Sequence, residues 1–331
     1  MPTLLRHSSD REPGISREKK GQNGSSYTYR HANGKVVKHP KTLERINLLG
    51  LPPAYRDVWI CADEHGHLQA TGIDERGRKQ YRYHEAWSAF RAQKKFDHLV
   101  DFAKALPALR RRVRQDLKRE TPDKTFVSAA LIRLIDRTSI RVGNQYYAKE
   151  NGSYGATTLR RKHVKLSDDR LSLDFTAKGG KRVRCTTSDK TLNHILHRID
   201  ELPGQRLFQY LSETDDLCSL DSSDVNDYLR DGFSAKTFRT WRGTVTAFKT
   251  AAKADKPTIK TLSEAAASAL HNTPTICRNS YIHPQVIELA RMNPEEKALK
   301  MEAVSDAQIR GLRKAEARCL AYLEKTAAVS R

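Results

Sequence analysis

Two hydrophobic periods divide the chain. Up to about residue 84, apolar and polar residues alternate over short runs: YTYRH, KVVKH, DVWIC, HLQATGI and KQYRYH. Asn33-Gly34, Glu64–Gly66 and Asp74–Gly77 separate these runs. A period of two belongs to half-buried strands, and the separators are turn formers. Asn33-Gly34 suits a two-residue hairpin, which predicts pairing of the runs on either side. LERINLLGLPPAY is predicted as a short apolar helix or loop that stops at Pro52-Pro53. Residues 1–25, rich in Ser, Gly, Arg and Lys and without a period, are expected to be a mobile basic tail.

From Trp87 the period lengthens. Phe102, Leu106, Leu109, Val113 and Leu117 recur at intervals of three and four, the mark of an amphipathic helix. The run Arg110–Arg114 on this helix is expected on a solvated or phosphate-facing side. Thr121-Pro122 ends it, and FVSAALIRLIDRTSI is predicted as the next helix. Strand-like runs return at TTLRRKHVKL, RLSLDF and KRVRCTT, with turns at Ser167–Asp169 and Lys178-Gly179-Gly180. From LNHILHRI onward the pattern is helical. The expected fold class is α+β. The expected domains are a tail (1–25), a small antiparallel-β domain (26–90) and a larger, mostly helical domain (91–331) carrying a β-hairpin insertion. A hinge is expected near residues 84–95.

Charge adds what periodicity cannot. Lys and Arg number 60 against 39 Asp and Glu, a formal net charge of +21 over 331 residues. Such an excess attracts a polyanion through release of its condensed counterions. No run approaches the ~20 apolar residues of a spanning helix, and MPTLLRHSSDREPG lacks the apolar core of a secretory signal. Five widely spaced cysteines form no C-x-x-C pair, which argues against a disulfide framework and a zinc site and for a reducing compartment. Lys178-Gly179-Gly180-Lys181 lacks the spacing of a phosphate-binding loop, so ATP hydrolysis is not expected.

Five ordered segments carry a family resemblance. They are PPAYRDVWICADEHGHLQATGIDERGRKQYRYH, IRVGNQYYAKENGSYGATTLRRKHV, FTAKGGKR, AKTFRTWRGT and NTPTICRNSYIHP. Over roughly residues 45–290 the chain resembles the poxvirus-type and bacterial type IB DNA topoisomerases. The resemblance implies a catalytic domain of the tyrosine recombinase/topoisomerase IB kind. It matches Arg141 and Arg239 to the catalytic arginines, Lys178 to the catalytic lysine and Tyr281 to the nucleophile. Lys236 stands three residues before Arg239, as in the topoisomerases. The family usually has histidine nine residues before the tyrosine; here that position is Asn272. His271, beside it, ranks second for the role because neighbours on a helix point about 100° apart.

The residue types suit the implied reaction. A phenol ordinarily ionises near pH ~10 and needs cationic help to attack at neutral pH. Two arginines can donate charge-assisted hydrogen bonds to phosphate oxygens, and a lysine can protonate the leaving 5′-oxygen. Asn272 keeps an NH₂ donor but not an imidazolium charge. The implied function is relaxation of supercoiled DNA by transient cleavage through a 3′-phosphotyrosyl bond, without ATP, metal or cofactor. Lys79, Gln80, Tyr81, Arg82, Tyr83, Asn144, Tyr147 and Lys236 are expected to contact DNA. Phe238 and Trp241 are expected to be core residues that fix Arg239. The expected partner is double-stranded DNA, clamped by a monomer in the cytoplasm at the nucleoid, with no membrane. A tyrosine recombinase and an inactive architectural DNA-binding protein remain the alternatives.

Overall fold

Alternation does become strand. In the computed structural model, which describes residues 4–20, 26–75, 77–167 and 170–329, the first elements are β1 (Ile15–Lys20), β2 (Ser26–Arg30), α1 (Pro40–Leu48), β3 (Arg56–Ile60), β4 (Leu68–Ile73) and β5 (Lys79–Tyr83). The strands form one antiparallel sheet in the order β2-β1-β3-β4-β5. Ile15, Val37, Ile46, Val58, Ile60 and Ala70 make its small core. Central β4 is buried on both faces, including Gln69. That amide is satisfied: Nε2 donates to the Asp63, Glu64 and Gly66 carbonyls at 3.3, 3.0 and 2.7 Å, and Oε1 accepts from Arg45 of α1 at 2.6 Å.

One sequence expectation needs correction here. Residues 4–20 are not a mobile tail, because β1 lies between β2 and β3 and Leu5 and Ile15 are buried. Ser8 fastens the stretch: its N–H donates to His67 Nδ1 at 3.0 Å and its hydroxyl pairs with both backbone groups of Leu68 at 3.1 Å. Backbone and serine hydrogen bonds leave no hydrophobic period, so the pattern concealed them. Residues 1–3 and 21–25 of the expected tail lie outside the described residues. The hairpin expectation agrees with the structure: Gly34 turns the chain, with φ +81°, and the run after it pairs antiparallel with the end of β2 at Arg30 and Val36. The His31 N–H donates to the Lys35 carbonyl at 2.9 Å and the Val37 N–H to the Tyr29 carbonyl at 2.8 Å. On its other side β2 pairs with β1.

The chain divides into two units, Met1–Lys95 and Phe96–Arg331. The division falls within α2 (Glu85–Asp116), so the expected hinge near 84–95 is helical backbone. Next come α3 (Lys124–Thr138), α4 (Gln145–Asn151), β6 (Val164–Ser167), β7 (Arg170–Thr176), β8 (Arg182–Thr187) and α5 (Lys190–Asp200). An unforeseen two-stranded ribbon, β9 (Gln209–Leu211) and β10 (Leu217–Ser219), precedes α6 (Ser222–Leu229). The chain continues through α7 (Ala235–Lys253), α8 (Ile259–Leu270), α9 (Pro274–Ser280), α10 (Pro284–Glu288), α11 (Pro294–Glu302) and α12 (Lys314–Val329). Strands β6, β7 and β8 are an antiparallel meander. Of TTLRRKHVKL only the end is strand; its earlier part forms tight 3₁₀ turns. Asp168 and Asp169, in the expected turn between β6 and β7, lie outside the described residues. Asp123 caps α3 by accepting from the Phe126 N–H at 2.8 Å, and α3 is buried along most of its length.

The arginine run of α2 is not a uniformly solvated face. Arg110 is largely buried and donates to both oxygens of Asp136, at 2.8 and 2.9 Å, and of Glu316, at 2.8 and 2.9 Å. It thereby ties α2 to α3 and α12. Burial alone would raise the Asp136 pKa, but the Arg110 hydrogen bonds and charge outweigh it and hold the carboxyl below its ordinary range. Arg112 donates to the Tyr228 carbonyl at 2.6 Å. These side chains stand on the helix face that meets protein, which a count of charges cannot reveal.

Arg110→Met removes the closer of the two cations that pair with Asp136 and Glu316, leaving only Arg313 at 3.4 and 3.3 Å, and is expected to cost about 3 kcal/mol in denaturant unfolding. Exposed Arg111→Met should change stability by no more than about 0.5 kcal/mol. Deleting residues 1–19 should make residues 26–90 sensitive to limited proteolysis, because β1 is an interior strand. A dispensable tail would leave the cleavage pattern unchanged.

Candidate active site

Ser234 is the N-cap of α7, and its N–H donates to Thr237 Oγ1 at 3.2 Å. Phe238, Trp241, Val245 and Phe248, three and four residues apart, are buried. The expectation that Phe238 and Trp241 are core residues around Arg239 agrees with this packing. Arg239 itself is 3% exposed. Its Nη1 donates to the Ser139 carbonyl, and its Nη2 donates to the Leu270 carbonyl at 2.9 Å. Ser139 is the left-handed C-cap of α3 and Leu270 is the last residue of α8. Helix C-termini present carbonyls without intrahelical partners and the negative end of the macrodipole, so together they can hold a buried cation. Burial lowers the Arg239 pKa and the charge of Arg141 adds to this, while the Tyr281 hydroxyl opposes them as a hydrogen-bond partner.

Tyr281 caps the C-terminus of α9 and is partly buried, its ring centroid 5.3 Å from the Arg239 guanidinium carbon. Arg141 lies in the extended segment between α3 and α4, where its carbonyl accepts from the Ala156 N–H at 2.8 Å. A Cβ on Gly155 would lie 2.6 Å from that carbonyl, so glycine is what allows the two segments to pack. The fields of Arg141 and Arg239 both reach His271 and Cys277. His271 is held below the ordinary histidine range, by burial first and then by these two arginines.

Helix α8 ends at Leu270, and His271 adopts φ +48°. The 100° offset expected between neighbours therefore does not separate His271 from Asn272, since neither is on the helix. Asn272 Oδ1 accepts from the Thr273 N–H at 3.0 Å, whereas its Nδ2 is buried without a partner. Arg239 Nε is likewise buried and unpartnered. A shallow cavity of about 400 Å³ is lined by Lys181, Arg182, Ala267, Ser268, His271 and Asn272. The C-terminal arm of the β7–β8 hairpin thus comes to the same place as Asn272. Lys178 stands at the exposed tip, in a tight turn where Gly179 and Gly180 take φ +78° and +74°.

The expected DNA contacts divide by their present bonding. Tyr81 and Tyr83, on edge strand β5, are 49% and 46% exposed with parallel rings 6.2 Å apart. Lys79 pairs with Asp10, Gln80 Nε2 donates to Asp74 at 2.9 Å, and Arg82 donates to the Gly50 carbonyl at 3.4 Å. Asn144 caps α4, its Oδ1 accepting from Tyr146 and Tyr147 N–H at 2.9 and 3.4 Å, so this oxygen already has a structural task. Tyr147 and Lys236 are exposed. Sequence reasoning passed over Lys181, Gly243 and Thr244. Of these, only Gly243 left a signal, as a glycine inside a helical pattern. Among the described residues, no three His, Cys, Asp or Glu are grouped to hold a metal, and no helix is long and apolar enough to cross a membrane.

Comparison with known proteins identifies the family. Residues 84–310 match the family model for the eukaryotic DNA topoisomerase I catalytic core. Residues 26–74 match that for the bacterial DNA topoisomerase IB N-terminal domain. The chain is 32% identical over 301 residues to DNA topoisomerase 1B of Acanthamoeba polyphaga mimivirus, covering 85% of this chain and 89% of that protein. It is 25% identical over 168 residues to DNA topoisomerase 1B of Vaccinia virus (strain Copenhagen), covering 48% of this chain and 51% of the viral protein. A match that takes in most of the catalytic unit, joined to one over β2, β3 and β4 of the N-terminal sheet, places the chain in the type IB DNA topoisomerase family.

Proposed function

We propose that this protein relaxes supercoiled duplex DNA by nicking and resealing one strand through Tyr281. One observation carries the assignment of the site: two buried donors, Arg239 Nε and Asn272 Nδ2, have no acceptor among the described residues. Buried donors left unpaired are costly, and a phosphodiester's non-bridging oxygens are acceptors of the required kind. In this reading Tyr281 Oη attacks phosphorus and gives up its proton to solvent water. The P–O5′ bond breaks as the P–O(Tyr281) bond forms, and Lys178 protonates the leaving 5′-oxygen. Arg141, Arg239 and Asn272 donate hydrogen bonds to the non-bridging oxygens as their charge grows. The phosphotyrosyl ester conserves the bond energy, so religation requires the same steps in reverse and no ATP, metal or cofactor. The exposed, glycine-flanked tip at Lys178 supports a lysine that moves to reach its target.

The positive charge favours duplex DNA as partner, gripped by a monomeric clamp. Tyr81 and Tyr83 offer exposed aromatic faces to it; Lys79, Arg82, Tyr147 and Lys236 supply cationic or hydroxyl contacts, and Gln80 and Asn144 contribute what their internal bonds leave. The catalytic unit is proposed to share the tyrosine recombinase architecture. Lys236 favours the topoisomerase over the recombinase.

A supercoiled plasmid without any recombination site, incubated with EDTA and no ATP, is expected to be relaxed. Denaturant should then trap a covalent adduct, and Tyr281→Phe should abolish both. Absence of the adduct from wild type would leave DNA binding as the remaining function. Arg141→Ala and Lys178→Ala should slow single-turnover cleavage about 100-fold or more, with DNA affinity little changed. Arg239→Ala is a poorer probe, since the buried guanidinium also joins two helix ends. Raising salt from 50 to 200 mM should weaken DNA binding steeply, by about 10³-fold if roughly six phosphates are contacted.

A further inference from the structure

The nucleophile's backbone stands in a short link. Residues 281–283 join α9, seven residues long, to α10, five residues long. Helices this short fix their own orientation poorly, so the position of the link depends on what it packs against. It packs against α7. Thr244, fully buried, donates its hydroxyl to the Tyr281 carbonyl at 3.3 Å and accepts from the His283 N–H at 3.1 Å. One hydroxyl thus spans the link, satisfying a carbonyl at the end of one helix and an N–H at the start of the next.

The residue beside it brings the backbones together. A Cβ on Gly243 would lie 2.5 Å from the Tyr281 carbonyl oxygen and 3.1 Å from Tyr281 Cβ. Real Cβ atoms do not make the first of these contacts, so only glycine lets α7 come this close. Arg239 lies on the same helix, four and five residues earlier, or roughly 6–7.5 Å along its axis. The far side of the link is held as well: His283 Nδ1 accepts from the Gln285 N–H at 3.2 Å, and its ring packs edge-on against Phe96 at 5.2 Å. Burial pushes the His283 pKa down to about 4, which keeps this acceptor neutral at ordinary pH.

We propose that Thr244 is a positioning residue for the cleavage reaction, a hydroxyl staple that sets Tyr281 against Arg239 on one rigid helix before DNA binds. The proposal rests on Tyr281 being the nucleophile. Its physical basis is that rate depends steeply on the placement of the attacking atom: a displacement of about 1 Å can cost about 100-fold. Thr244 touches neither the reacting atoms nor DNA, so its loss should act on the maximal rate and leave substrate capture alone.

The test is single-turnover formation of the covalent adduct on duplex DNA, with the protein concentration varied to separate the maximal rate constant from half-saturation. Thr244→Val, equal in shape but lacking the hydroxyl, is expected to lower the maximal rate constant about tenfold or more. Half-saturation should stay within about twofold, and Thr244→Ser should recover most of the rate. Gly243→Ala should also cut the maximal rate constant, and it carries the test if Thr244→Val does not fold, as judged by its melting curve. The staple is refuted if Thr244→Val cleaves at the wild-type rate, if its defect lies only in half-saturation, or if Thr244→Ser is as slow as Thr244→Val. Wild-type rates from Gly243→Ala would refute it equally. Failure of wild type to form any adduct would overturn the nucleophile assignment instead.

Discussion

The catalytic unit is organised around a cation that has left water. Removing a guanidinium from solvent is costly, and it persists only where fixed acceptors surround it. Arg239 finds them in the Ser139 and Leu270 carbonyls, at the ends of α3 and α8. That single arrangement joins the two helices at their ends. It also places His271 and Asn272 beside the arginine, because they follow Leu270 directly. Tyr281 completes the surround with its ring and hydroxyl. A misplaced helix end would leave the buried charge uncompensated, so packing of the core and geometry of the site are enforced by the same bonds.

The charge of +21 takes on a different meaning once the side chains have places. Some of the 60 basic residues serve the interior. Arg110 joins three helices, Arg133 and Arg137 share Asp189, and Arg45 supports a buried glutamine. Lys79 and Gln80 are tied to Asp10 and Asp74 within the N-terminal sheet. Such groups are held by partners within the protein. Other cations, among them Lys178 and Lys236, are exposed.

Much of the fold was legible in the chain. Period-two runs gave β3, β4 and β5, and the three-four spacing of Phe102 to Val113 gave the buried face of α2. Elements held by hydrogen bonds were not legible. β1 is polar along most of its length and owes its place to β2 and β3, while β9 and β10 are three residues each, too short to show a period. The change of period near residue 90 lies close to the division between the two units, and the backbone there is helical. The candidate site divides the same way. Ordered motifs single out Arg141, Lys178, Arg239, Asn272 and Tyr281 as candidates, but no motif marks Thr244.

The sequence by itself determined which residue types are present, the two hydrophobic periods and the family. Periodicity is a property of neighbours along the chain, and motifs are matched one segment at a time. Only the tertiary structure decided which cations are buried, which donors lack acceptors, and that α7 meets the backbone of Tyr281 at Gly243 and Thr244. These depend on segments some 40 to 100 residues apart lying within hydrogen-bond distance. Distance in space is set by the packing of the whole unit, and no local pattern encodes it.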